Sequence, residues 1–124
     1  MFLKLDLIKK SYIEISIISI KMEFHPSQLP TAKTYDVKDE KEAEDVTQEM
    51  VKLGFSNQKM GYKVLMPKEQ KTAKRIGYII TTGINYGLRQ TKQERDLRYW
   101  TFNLDKDHYA IVLISSRVFD ELGF

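Results

Sequence analysis

The sequence predicts a single α+β domain, an antiparallel sheet with helices at one side. Three observations predict it. Residues 39–53 carry a helical apolar stripe between a capping signal and a terminal glycine. Residues 97–102 and 108–114 read as two strands separated by turn residues. The 124 residues, 42% hydrophobic and 30% charged, suit one ordinary core.

Taken in order, Leu3, Leu5 and Leu7 alternate with Lys4 and Asp6, and Ile13, Ile15 and Ile17 alternate with Glu14 and Ser16. Both patterns predict strands, and the phase shift to Ile18 and Ile20 predicts a bulge. Met22 is an alternative start, which would make residues 1–21 an extension ahead of an α+β domain at 22–124. Pro26 and Pro30 mark residues 25–34 as a linker or extended loop. Asp39 with Glu42 predicts a helix start. Ala43, Val46, Met50 and Leu53 form its buried stripe, and Gly54 ends it. Residues 59–66 form a short strand with Tyr62, Val64 and Met66 on one face.

Residues 68–88 carry conflicting signals. Ala73, Ile76, Ile80 and Ile84 fit a helix begun by Pro67. The β-branched run from Ile79 to Thr82, with Gly77, Gly83 and Gly87, weakens one. The balance predicts a short helix to about Arg75, then a strand from Tyr78 to Leu88. If the segment is helical throughout, helix–helix–hairpin resembles a winged-helix arrangement. Residues 90–96 are a polar connection. Asn103, Asp105, Lys106 and Asp107 supply the hairpin turn, and Ser116 caps a last short helix at 117–122.

Composition limits the chemistry. With no cysteine, disulfides, thiolate nucleophiles and cysteine-held metals are excluded, which fits a reducing, cytoplasmic setting. The longest uncharged run near the N-terminus, Ile15–Ile20, is far short of a membrane span, and Glu14 breaks any signal-peptide core. The three glycines match neither a phosphate loop nor a dinucleotide fingerprint, and no cofactor is expected. Asp105, Asp107 and His108 cluster, but turn chemistry accounts for the aspartates without a metal.

Charge is unevenly distributed. Seven acids face two bases between Asp36 and Glu49, whereas eleven bases face three acids between Lys52 and Arg98. Such polarity predicts a cationic face for polyanions. Within the basic half, Lys74, Arg75, Arg89, Lys92, Arg95 and Arg98 are interspersed with Tyr78, Tyr86, Tyr99 and Trp100. Cations neutralise phosphates and rings stack on unpaired bases, so nucleic acid, single-stranded or RNA, is the expected partner. Arg89, Lys92, Arg95 and Arg98 are expected at phosphates. Tyr86 and Tyr99 are expected to stack, with Trp100 as either a stacker or a core residue.

Two other classes compete. A protein-interaction module would dock through the acidic helix or an edge strand. A metal-independent ribonuclease would need His108 beside Arg95, Arg98 or Tyr99.

Overall fold

The computed structural model describes residues 24–55 and 60–124. The strands expected within residues 1–21 lie outside the described residues. The order is a 3₁₀ turn at Pro26–Gln28, β1 (Thr31–Asp36), α1 (Glu40–Leu53), β2 (Gly61–Pro67), α2 (Gln70–Gln90), β3 (Leu97–Asn103), β4 (His108–Ser115) and α3 (Ser116–Glu121). The four strands form one sheet in the order β1-β2-β4-β3. Both pairings of β4 are antiparallel; β1 runs parallel to β2 through the α1 crossover. The fold is α+β as expected, with a mixed sheet. Helix–helix–hairpin occurs only with β2 intervening between the helices.

Alternation in the strands builds two cores. Tyr62, Val64, Met66, Ile111 and Leu113 point to the face covered by α1 and α2, where they meet Met50, Ile76, Ile80 and Ile84. Val112 and Ile114 point to the other face, where Leu29, Val118 and Phe119 cover them. β4 is therefore buried on both sides, and residues 110–116 are buried without a break.

The expected strand over 78–88 is corrected: one helix, α2, runs to Gln90. Its start also differs, since Glu69 caps it by accepting from the Thr72 N–H at 2.8 Å. The glycines misread as breakers are clearance for α1. A Cβ on Gly83 would lie 2.7 Å from Thr47 Cγ2, and one on Gly87 would lie 2.7 Å from Val51 Cγ2. Tertiary packing thus overrides helix propensity. The linker expected over 25–34 is also corrected, because β1 begins at Thr31. Only Tyr35 of this strand is buried, so apolar alternation could not announce it.

α1 starts one residue after its cap. Asp39 Oδ1 accepts from the Glu42 N–H at 2.9 Å, and Glu42 accepts from the Lys38 N–H at 2.7 Å. α3 starts at Ser116, and Ser115 stands at its cap position without a side-chain capping bond.

Glu49 fastens edge strand β1 to α1. It accepts from Lys33 Nζ and, at 2.8 Å, from the Tyr35 hydroxyl. Burial, then the bond to Glu49, pushes the Tyr35 phenol above its ordinary range. The Lys33 hydrogen bond, then that from Tyr35, holds the Glu49 carboxyl below its ordinary 4.5. A carboxyl with a lowered folded pKa stabilises the fold above the unfolded value, and that contribution is lost as pH falls through the folded one. Thermal unfolding of the wild type should therefore weaken more steeply below pH 4.5 than that of Glu49→Gln. Parallel pH profiles would refute this coupling.

Candidate nucleic-acid interface

α2 lies over β2 and β4, and β3 projects beyond it as the sheet edge. A groove of about 360 Å³ opens between them. Lys74, Gly77, Tyr78 and Thr81 form its helical wall, and Tyr99 and Thr101 form its strand wall. Tyr109 and Ile111 floor it, and Lys68 Nζ stands 5.1 Å over the Tyr109 ring. Tyr78 is 70% exposed and Tyr99 55%, so both rings offer free faces.

The α2 helix continues this wall into a stripe. Lys74, Tyr78, Asn85 and Arg89 are separated by four, seven and four residues, which places them on one helical face, and all four are exposed. Tyr78 was missed as a site residue because a strand reading separates it from Lys74. A helical reading of the same residues puts them together.

The polar connection expected after α2 is pinned at several points. The Ser115 hydroxyl donates to Glu94 at 2.9 Å and the Ser116 hydroxyl to Asp96 at 3.0 Å. Gln93 Nε2 donates to the Val51 carbonyl at 3.0 Å, which satisfies an open group at the end of α1. Beside these anchors, Lys92 and Arg95 are exposed. Lys74, Arg89, Lys92 and Arg95 have no side-chain partner among the described residues.

Lys92 closes the C-terminus of α2 in an unusual way. The Gln93 N–H donates to the Leu88 carbonyl at 2.8 Å and the Lys92 N–H to the Arg89 carbonyl at 3.2 Å. This is a Schellman arrangement, and Lys92, at φ 57°, occupies its left-handed position, where glycine is usual. Lys92→Gly should raise stability by about 1 kcal/mol, because a side chain is disfavoured there by roughly that amount. Denaturant unfolding checks this, and a loss of stability would contradict it.

The remaining residues named from sequence stand elsewhere. Arg75 pairs with Glu40 at 3.0 Å on the α1 flank of α2. Tyr86 is on that flank too, lining a separate cleft of about 650 Å³ between the helices. The two expected stackers, Tyr86 and Tyr99, therefore stand on opposite sides of α2. Arg98 lies on the far face of the sheet. It pairs with Asp120 at 3.2 Å and stacks 4.7 Å over the Phe119 ring. Trp100 shares that face, 5.3 Å from the Phe24 ring and 5.1 Å from that of Phe119, half-buried against the second core.

The nuclease constellation is not assembled. His108 pairs with Pro67 at one end of the hairpin, whereas Arg98 pairs with Ile114 near the other. Six strand positions separate them along β4, about 20 Å at ordinary strand rise. Asp105 does turn work, accepting from the Asp107 N–H at 2.8 Å and meeting His108 Nδ1 at 3.1 Å. The Asp107 bond is the main reason its carboxyl is held low.

Among the described residues, no helix is long and apolar enough to cross a membrane. No protein-family model, no curated protein and no solved structure matches this chain.

Proposed function

We propose that this protein binds single-stranded nucleic acid, RNA above all, in the groove between α2 and β3, without catalysis. The observation that carries the reading is the convergence of two exposed rings, Tyr78 and Tyr99, with Lys74, which has no side-chain partner among the described residues. Unpaired bases stack on such rings whatever their identity, and a duplex hides its base faces. Arg89, Lys92 and Arg95 extend the cationic track toward the pinned connection and take the backbone. The acidic helix supports a protein partner less well. Glu40, Glu42, Asp45 and Glu49 already hold Arg75, the Lys38 amide, Lys41 and Lys33.

Labelled single-stranded RNA, single-stranded DNA and duplex DNA, titrated at two salt concentrations, test the proposal. Four phosphate contacts predict a log–log salt slope of about −3 for single strands. Absence of binding at low salt sinks the reading. Cleavage of the probe would restore the enzyme class.

A further inference from the structure

The two edges of the sheet differ. β1 carries a register shift between Thr31 and Lys33, and Lys33, whose ammonium meets Glu49 of α1, is exposed beside it. Irregularity and lysine are ordinary guards against edge-to-edge pairing. β3 has neither. Its seven residues pair in unbroken register with β4 and, among the described residues, with no other strand. Its one charged side chain, Arg98, is drawn toward α3 by Asp120 and Phe119.

The free backbone groups can be assigned. The Leu104 N–H donates to the His108 carbonyl at 3.1 Å. By alternation, Arg98, Trp100 and Phe102 then bond to β4, while Tyr99, Thr101 and Asn103 direct N–H and C=O outward.

We propose that β3 is the contact through which two copies of this chain pair, antiparallel, about a two-fold axis at Trp100. That register sets Tyr99 of each copy opposite Thr101 of the other, and Arg98 opposite Phe102. It is self-complementary, as a two-fold contact requires, and it brings no like charges face to face. Tyr99 against Thr101 is a favourable aromatic–β-branched pair. The two Trp100 side chains meet at the closely spaced position on the far face and cover the surface each leaves half-exposed. On the near face the two grooves become one cleft with a Tyr99 from each copy.

Sedimentation equilibrium of the full chain tests this, with a reversible dimer expected. Thr101→Pro removes an outward N–H that β4 does not use, so the far-ultraviolet spectrum should persist while dimer affinity falls at least about tenfold. Because the chain has no cysteine, the register is checked independently. Tyr99→Cys and Thr101→Cys should cross-link under oxidation when mixed, and neither should do so alone. A monomer at millimolar concentration, a Thr101→Pro dimer of unchanged affinity, or cross-linking within either single variant would overturn the proposal. A monomer in which the outward amides of Tyr99, Thr101 and Asn103 still resist hydrogen exchange would also overturn it, assigning the edge to another occupant.

Discussion

Replacing Tyr78 and Tyr99 together by alanine is expected to weaken binding of single-stranded RNA by about thirtyfold or more. Each base–ring stack contributes about 1–3 kcal/mol, so two give about 2–6 kcal/mol. Stability should change little, because both rings are mostly in solvent, at 70% and 55% exposure. Tyr86→Ala is the control. It removes an equally accessible ring from the opposite flank of α2 and should leave affinity within about twofold, the scatter of a surface substitution. Fluorescence anisotropy gives the affinities and calorimetry the stability. If Tyr86→Ala weakens binding as much as the double variant does, the interface is not the α2–β3 groove.

Gly87→Ala is expected to destabilise the fold by about 1–2 kcal/mol, against the usual sign. In an open helix this change gains up to about 1 kcal/mol from propensity. Here the new Cβ would lie 2.7 Å from Cγ2 and 3.0 Å from Cγ1 of Val51, a branched side chain with little freedom to turn aside. Overpacking of this kind costs about 1–3 kcal/mol. Val51→Ala should relieve the clash, so the double variant should be more stable than the sum of its parts. Denaturant melts of the four proteins give the coupling. A stabilised Gly87→Ala would mean that the helices stand further apart than described. Gly83, whose Cβ would meet the buried Thr47 at 2.7 Å, should behave alike.

These glycines also explain what the sequence concealed. α1 was legible because its cap, its apolar stripe and its terminal glycine agree. The hairpin was legible because turn residues and alternation agree. In α2 the signals disagree: Ile76, Ile80 and Ile84 mark a buried helical face, while Gly83 and Gly87 lower helix propensity. Their reason lies on another element, in Thr47 and Val51, and no local pattern expresses it. β1 was hidden by a different cause, being an edge strand with one buried side chain, Tyr35.

The same misreading divided the candidate site. A strand beginning at Tyr78 ends the helix that carries Lys74, so the spacing of four that sets Lys74 beside Tyr78 on α2 was lost. Tyr99, expected to stack, stands on the sheet face opposite Trp100, because alternation in β3 is regular. What sequence could not show for Arg98 was its partner, Asp120, which a later helix brings back to the sheet.

The position of β4 has a consequence for the order of folding. The strand bonded to both β2 and β3 is the last one synthesised. Until it emerges, β1, α1, β2 and α2 can pack only one sheet face, and among the described residues β3 has no neighbour to pair with. Each antiparallel partner of β4 contributes differently to the barrier. The β3–β4 hairpin closes a short loop and can form on the microsecond scale, whereas β2 must be recovered across the whole of α2. Long-range closure of that kind slows folding more than it alters stability. The nascent chain is therefore left with Tyr62, Val64 and Met66 without their antiparallel partners, a period when edge-to-edge aggregation competes with the native pairing.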